Sequence, residues 1–130
     1  MLIDEIKKFF RGEVSVDEKT LDFYSRDASI FEIKPEAVVA PADREDLKNL
    51  VKFVAAEKQK GRKIYLTARA GGTDMSGGAL GESIIVDFTK HLNRLISINE
   101  TSAVVEPGMF YRDLEKKADA FGAMLPSYPA

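Results

Sequence analysis

The chain has 130 residues, of which 45% are hydrophobic and 31% charged, a composition that suits one globular domain and excludes a disordered chain. Its 19 basic and 21 acidic residues leave a formal net charge of −2, which excludes a global field that would steer nucleic acid or anionic membranes. Absence of cysteine excludes disulfides and thiolate sites, and no stretch reaches the ~20 apolar residues of a membrane span, so we expect a cytoplasmic or membrane-peripheral protein with no nucleic-acid partner.

The first 36 residues are predicted to be a helical lead-in, and residues 37–130 an α/β subdomain. Apolar side chains recur near the N-terminus with the spacing of one helical face, which predicts a helix from Leu2 to Arg11 that ends at Gly12. Residues 13–36 mix apolar and polar side chains, so we expect irregular structure or a second short helix there.

The subdomain is predicted to open with a β-α-β unit. The short β-branched run Ala37–Ala40 lies between two prolines and predicts a strand. Asp43 is typical of an N-cap, and Asp46 lies at the third helical position, where an acid favours the helix dipole, so we expect a helix that runs to about Lys60. Ile64–Ala68 predicts a second strand, and two strands joined by a helix imply a parallel pair with a right-handed crossover.

Further strands and a last helix are predicted after a glycine-rich loop at residues 69–83. A third, apolar strand follows the loop, and two short apolar runs on either side of Asn99 predict a hairpin. Helical spacing after Pro107 predicts a last helix, closed by Gly122, and then an irregular tail. The predicted bounds are 84–88 for the strand, 95–98 and 103–105 for the hairpin, 110–121 for the helix and 125–130 for the tail.

The glycine-rich loop is the most informative stretch for function. Glycines permit positive φ and let a ligand approach the backbone, and successive N–H groups in such a turn converge on an anion. Hydroxyls add further donors. The loop therefore predicts a cradle for phosphate or pyrophosphate, and a glycine-rich turn with no ligand stays open as the alternative. Its sequence is Arg69-Ala70-Gly71-Gly72-Thr73-Asp74-Met75-Ser76-Gly77-Gly78.

Two common phosphate motifs do not fit this loop. Gly72 and Gly77 have the spacing of a Walker A motif, but Gly78-Ala79 follows where lysine and a hydroxyl residue are required. The G-x-G-x-x-G spacing of the Rossmann fingerprint is missing from residues 69–81, and the loop leads into a strand, so no helix dipole assists. A P-loop NTPase and a Rossmann dinucleotide site are therefore not expected.

The order of several short motifs resembles a known family of flavoproteins. From about residue 20 to 130 the chain is similar to the FAD-binding domain of the vanillyl-alcohol oxidase / p-cresol methylhydroxylase superfamily, and most similar to its D-lactate dehydrogenase and glycolate oxidase subunit branch. The resemblance implies the first subdomain of a PCMH-type FAD-binding domain. The motifs are Tyr24-Ser25-Arg26-Asp27-Ala28-Ser29, Pro35-x-Ala37-Val38-Val39-x-Pro41, Arg69-x-Gly71-Gly72-Thr73-x-x-x-Gly77, Ile85-Val86-Asp87, Leu92-Asn93 and Val105-x-Pro107-Gly108.

The resemblance implies a role for the loop in holding FAD. Main-chain amides in the turn after the second strand would hold the pyrophosphate, and two later glycines would let the backbone pass close to the flavin side. Pro41, Pro107 and Gly108 would lie beside the cofactor cleft and shape it, with ordinary punctuation of strand ends as the alternative. The loop has no histidine for a covalent flavin bond, so noncovalent FAD is expected. The implied cofactor-binding residues are Arg69, Ala70, Gly71, Gly72, Thr73, Asp74, Met75, Gly77 and Gly78, together with Pro107 and Gly108.

Three acidic or titratable residues near these motifs have open roles. Asp74 beside a diphosphate would repel it, unless the carboxylate points away or caps its own turn. Asp87 ends an apolar strand, where a cap of the following turn is favoured over a buried functional acid. His91 is expected to be a solvated loop residue, with a proton shuttle as the alternative.

For the whole protein the resemblance implies flavin-dependent oxidation of a small 2-hydroxy acid of the D-lactate or glycolate type. The chain is expected to be an N-terminal fragment, because the family's FAD domain continues and is followed by a substrate cap domain. We therefore name no catalytic residue, and expect the segment alone to be inactive and to self-associate through apolar surface meant for the missing part. A non-redox nucleotide-binding module and a structural domain with an empty loop are the alternatives.

Overall fold

The structure is a computed structural model that describes residues 2–126, and its mixture of helices and strands confirms the predicted α/β class. Within that range the chain forms four helices and six strands. Their bounds are α1 (Leu2–Lys7), β1 (Glu13–Ser15), α2 (Glu18–Tyr24), β2 (Ala37–Ala40), α3 (Arg44–Gln59), β3 (Leu66–Arg69), β4 (Ile84–Asp87), β5 (Leu95–Ile98), β6 (Ala103–Val105) and α4 (Tyr111–Asp119). The predicted tail at 125–130 lies partly outside the described residues, which stop at 126.

The main sheet has four strands in the order β1-β2-β4-β3. Strands β2 and β3 both run parallel to β4, while β1 pairs antiparallel with β2. The sequence predicted β2 and β3 as a directly paired couple, and that detail is wrong, because β4 lies between them. All four residues of β4 are buried, as are those of β2, whereas β3 exposes Ala68 and lies at the edge of the sheet.

Helices cover both faces of this sheet. Alternate strand residues point to opposite faces, so Val39 and Val86 pack with Leu50 of α3 and Ile6 of α1. On the other face, Val38 and Ile85 pack against Leu21 of α2, and Tyr24 lies beside them. The sheet is therefore the middle layer, and its carboxyl end is the place where the loop after β3 emerges.

The N-terminal part differs from the prediction in two ways. Helix α1 ends at Lys7 rather than Arg11, because the amides of Lys8 and Phe9 bond three residues back and tighten the chain into a turn. The second short helix expected within residues 13–36 is confirmed as α2, but strand β1 was not predicted. Three residues with a mixed pattern are too few to carry a period-2 signal.

Helix α3 begins as the sequence predicted. Asp43 is its N-cap and accepts a hydrogen bond from the amide of Asp46, 2.9 Å away. The Asp46 side chain is fully buried and accepts from the amides of Arg11, Gly12 and Ala42 at 2.8–3.0 Å. Asp46 therefore fixes the turn before β1 to the start of α3, a long-range role that its position in the helix alone does not reveal.

The C-terminal part forms a separate two-stranded sheet and one helix. Strands β5 and β6 pair antiparallel at the predicted positions, with a register shift between Leu95 and Ser97. Helix α4 runs from Tyr111 to Asp119, shorter than the predicted 110–121, with Phe110 as an N-cap that makes no side-chain cap bond. No helix among residues 2–126 is long and apolar enough to cross a membrane.

Candidate functional site

The glycine-rich loop leaves the carboxyl end of β3 and returns to the sheet at β4. Ligands of parallel α/β sheets bind outside the carboxyl ends of the strands. Here the loop surrounds an open concavity of about 230 Å³. The residues that line it are Ala68, Arg69, Ala70, Gly71, Gly72, Thr73, Asp74, Gly78 and Ala79.

A run of consecutive main-chain amides in the loop, which includes those of Gly71, Gly72 and Thr73, is free to bind a ligand. Within residues 2–126, the N–H groups of Gly71, Gly72 and Thr73 donate to no protein acceptor. Gly72 has a φ of 66°, which favours glycine, and its carbonyl accepts from the amide of Ala28 at 3.1 Å. Unused amide donors in a glycine-rich turn are the groups that can bind an anion.

Asp74 caps its own turn, which is one of the two arrangements expected for an acid in this loop, and it also lies among the residues that line the concavity. Its Oδ1 accepts from the amide of Ser76 at 2.6 Å and from the hydroxyl at 2.7 Å. The Ser76 hydroxyl, the Ser76 amide and the Gly78 amide hold the pKa of this carboxyl below its usual range. The carboxylate is therefore an acceptor within the loop and shapes its second half.

Arg69 lies beneath the loop rather than on its open side. The residue is 6% exposed, and its Nη1 donates to the carbonyl of Arg26 at 2.8 Å. A Cβ built on Gly72 would overlap the guanidinium, so the loop backbone passes directly against it. The Arg69 side chain thus supports the loop, and the residue also contributes to the lining of the concavity.

The other predicted site residues, Met75, Gly77, Pro107 and Gly108, are not among those that line this concavity. Met75 is 79% exposed, and Gly77 packs against Phe31, whose ring carbon would be 3.0 Å from an added Cβ. Gly108 is buried against the main chain, where its amide donates to the carbonyl of Leu92 at 2.8 Å. Pro107 precedes it and is exposed. The missing side chain of Gly108 therefore lets its backbone pack closely against the turn after β4. Neither Pro107 nor Gly108 lines the concavity.

Two neighbours of the loop were not predicted as site residues. Phe110 is 52% exposed, and its ring would be 3.4 Å from a Cβ on Gly71. The segment at residues 28–31 contacts the loop through Ala28 and Phe31. The motif Tyr24–Ser29 could have indicated the segment at residues 28–31. Phe110 fitted only the apolar spacing of the last helix, and nothing else in the sequence indicated that it lies beside the loop.

The two remaining candidates have structural partners. Asp87 caps the turn after β4, because its Oδ1 accepts from the amide and the hydroxyl of Thr89, both at 2.7 Å. His91 is 2.9 Å from the carboxylate of Glu13 on β1, so this histidine is a surface residue with a charged partner. Among residues 2–126 no group of three metal-ligating side chains could hold a metal ion.

The chain is similar to known proteins in both sequence and structure. A family model described as FAD binding domain matches residues 35–130. The D-2-hydroxyglutarate dehydrogenase of Escherichia coli K12 is 34% identical over 115 residues, which are 87% of this chain and 11% of that protein. The enzyme of the same name from Pseudomonas putida is 33% identical over 90 residues, 69% of this chain and 9% of that protein. The chain thus spans about a tenth of the length of these relatives.

Solved structures of larger proteins contain the same fold. Alkyldihydroxyacetonephosphate synthase matches with a TM-score of 0.76 at 17% identity, over 93% of this chain and 25% of that one. The 4-ethylphenol oxidase of Gulosibacter chungangensis matches with a TM-score of 0.71 at 26% identity, over 94% of this chain and 24% of that one. p-Cresol methylhydroxylase matches with a TM-score of 0.69 at 19% identity, over 93% of this chain and 24% of that one.

Proposed function

Since this chain belongs to the FAD binding domain family and its cofactor is FAD, we propose that the loop at residues 69–78 holds the FAD pyrophosphate through main-chain amides. The superfamily resemblance noted from the motifs agrees with this membership. The observation that carries the proposal is the set of three adjacent amides, of Gly71, Gly72 and Thr73, that no protein acceptor uses.

Each part of the loop has a distinct task in this proposal. The amides of Gly71, Gly72 and Thr73 donate to phosphate oxygens, and Thr73 adds its hydroxyl. Asp74 keeps the second half of the loop folded through its bonds to Ser76. Bound FAD supplies the electron acceptor, while these residues bind and orient it. The loop has no histidine, which supports noncovalent attachment.

For the whole protein we propose a flavin-dependent dehydrogenase of a 2-hydroxy acid. The relatives named D-2-hydroxyglutarate dehydrogenase support this class, and they extend the expected substrate from the D-lactate or glycolate type to an acid with a second carboxylate. Such an oxidation turns the C–OH carbon into a carbonyl; bound FAD would supply the hydride acceptor, and the hydroxyl proton would be left to a base. The rest of the FAD domain and a substrate domain are the proposed partners of residues 2–126.

A ligand series tests the pyrophosphate site directly. FAD, FMN and riboflavin are titrated into the protein, with flavin fluorescence and thermal shift as readouts. We expect FAD to bind at least tenfold more tightly than riboflavin, which lacks both phosphates, and FAD affinity to fall with added salt because the ligand is anionic.

Three other results would count against the proposal in different ways. Equal affinity for FAD and riboflavin would show that the loop does not hold phosphates. Failure of every flavin to bind would leave a structural domain. Tight FAD binding by the full-length protein, without loss of its visible flavin absorbance on addition of D-2-hydroxyglutarate, D-lactate or glycolate, would favour a nucleotide-binding module and remove the dehydrogenase proposal.

A further inference from the structure

We propose that Tyr24, Arg69 and Asp87 form a positioning cluster that holds the glycine-rich loop in its amide-presenting shape. In this proposal Arg69 acts from beneath the loop and is not a ligand of the phosphates. The inference rests on the proposed function for its effect on FAD, but the shape of the loop can be measured without FAD.

The first link of the positioning cluster is the guanidinium of Arg69. It donates to the carbonyl of Arg26 at 2.8 Å, and its Cζ lies 5.0 Å from the centroid of the Tyr24 ring. These contacts join the last residue of β3 to the segment after α2, more than 40 residues earlier in the chain. The Tyr24 ring therefore stabilises the positive charge of Arg69, and the Arg26 carbonyl accepts from one of its N–H groups.

The second link is the hydroxyl of Tyr24, which donates to Oδ2 of Asp87. Burial and the neighbouring Asp87 raise the pKa of Tyr24 above its usual range, so the phenol stays protonated and keeps its role as donor. Asp87 and Arg69 are register partners at the ends of β4 and β3. The three side chains therefore tie both strand ends, on either side of the loop, to the segment that follows α2.

The loop itself rests on this assembly at three points. Gly72 passes against the guanidinium of Arg69, where any side chain would collide. The carbonyl of Gly72 accepts from the amide of Ala28, two residues after the carbonyl that Arg69 holds. Further along, Gly77 packs against the ring of Phe31. Loss of the positioning cluster would release the segment at residues 26–31 and with it the support under Gly72.

Arginine is the residue type that this position needs. A planar guanidinium can stack on the Tyr24 ring while it donates in its own plane to a carbonyl, whereas an ammonium is a point charge that does neither in a fixed orientation. A phosphate ligand has a different requirement, because lysine also binds phosphate as a cation. Substitution of Arg69 by lysine therefore separates the two roles.

The test uses Tyr24→Phe, Arg69→Lys and Arg69→Met, with Arg26→Ala as the matched control. Arg26→Ala removes a nearby guanidinium that pairs with Glu32 at the surface, but keeps the carbonyl that Arg69 uses. Amide resonances of Gly71, Gly72 and Thr73, with their ¹⁵N relaxation, are recorded on FAD-free protein, and residues of α3 report the intact core. FAD affinity and its salt dependence are measured on the same samples.

We expect the loop amides to shift and gain mobility in Tyr24→Phe and in both Arg69 variants, while α3 is unchanged and Arg26→Ala matches the wild type. FAD affinity should fall about tenfold in Arg69→Lys and in Arg69→Met, because FAD then binds only the fraction of molecules whose loop still presents its amides. The salt dependence should stay as in the wild type, since no phosphate contact is removed.

The proposal is overturned by an undisturbed loop in the FAD-free variants, or by Arg69→Lys binding FAD like the wild type while Arg69→Met loses affinity and salt dependence. The second pattern would make Arg69 a direct phosphate ligand. If Arg69→Met fails to fold, Tyr24→Phe and Arg69→Lys decide the matter alone. Absence of FAD binding by the wild type would remove the proposed function but leave the loop measurement to judge the positioning cluster.

Discussion

At the scale of single residues, Gly72 shows how one missing side chain serves both conformation and packing. It has a φ of 66° and passes against the guanidinium of Arg69. We predict that Gly72→Ala lowers the free energy of unfolding by about 2–4 kcal/mol, since a left-handed alanine costs about 1–2 kcal/mol and the overlap with Arg69 adds to it. FAD affinity should fall in parallel. Urea denaturation and FAD titration measure the two effects.

The matched control for this change is Gly61→Ala. Gly61 has a φ of 85° and nothing within 4 Å of an added Cβ, so the substitution introduces the same backbone strain in open space. It should cost only about 1–2 kcal/mol and leave FAD affinity unaltered. Equal effects of the two substitutions on stability and binding would show that the contact between Gly72 and Arg69 is unimportant.

Asp46 is the buried residue whose carboxylate joins distant parts of the chain. It accepts three amide hydrogen bonds and is fully buried. Asp46→Asn would turn an amide NH₂ toward these donors and leave at least one unpaired, so we predict a loss of about 2–4 kcal/mol in chemical denaturation. Asp113→Asn, at an exposed position of α4, should change stability by no more than about 0.5 kcal/mol.

At the scale of elements, the ion pair of Arg94 and Glu106 closes the hairpin of β5 and β6. The guanidinium donates to both carboxylate oxygens of Glu106 at 2.8 and 3.1 Å, and the Arg94 amide donates as well, so the pair also sets the start of the Pro107-Gly108 turn. The Arg94 side chain, and then its amide, hold the pKa of Glu106 below its usual range.

This lowered pKa predicts the pH dependence of stability. A carboxyl with a depressed folded-state pKa stabilises the protein above its unfolded-state pKa, which is about 4.5 for glutamate, and loses that contribution as pH falls through the folded-state value. Stability measured by denaturation should therefore fall more steeply below pH 4.5 in the wild type than in Glu106→Gln. Identical acid profiles of the two proteins would show that the pair contributes nothing.

Several elements show that the local sequence pattern was sufficient to predict their bounds. Strand β2, the start of α3 and the strands of the hairpin were predicted at or within one residue of their positions, because each has a strong period or a distinct cap. Strand β3 starts at Leu66 rather than Ile64, and β1 was missed. Both are edge strands, whose pairing depends on a neighbour that no local pattern describes.

At the scale of the whole molecule, the hairpin and α4 leave apolar surface uncovered. The two-stranded sheet has unpaired edges, and α4 and the hairpin turn border an apolar cavity of about 150 Å³. Side chains exposed in this region include Ile96, Val104, Phe121, Met124 and Leu125. We predict that the chain alone self-associates through this surface.

Analytical ultracentrifugation over a range of concentrations measures this association. The double substitution Ile96→Lys with Val104→Lys should shift the chain to monomers, because charges on the hairpin oppose pairing of its strands. Lys48→Asp on the exposed side of α3 is the control and should leave association unchanged. A wild type that is monomeric at every concentration would contradict the prediction.

The sequence by itself determined the α/β class, the main elements and the place of the glycine-rich loop, because these depend on local periods, caps and glycine content. It also indicated that Asp74 and Asp87 could cap turns. Each is followed two residues later by a hydroxyl residue, Ser76 or Thr89, which donates to its carboxylate. The superfamily resemblance followed from the order of short motifs and agrees with the comparisons.

Only the tertiary structure decided which strand lies in the centre of the sheet and what supports the loop. The insertion of β4 between β2 and β3 depends on burial relative to both neighbours, which a single strand does not encode. The contacts of Tyr24 with Arg69 and Asp87 join residues 45 and 63 positions apart. Such contacts follow from packing of α2 against the sheet, so the direction of the Arg69 side chain, under the loop, could not be derived from the motif that contains it.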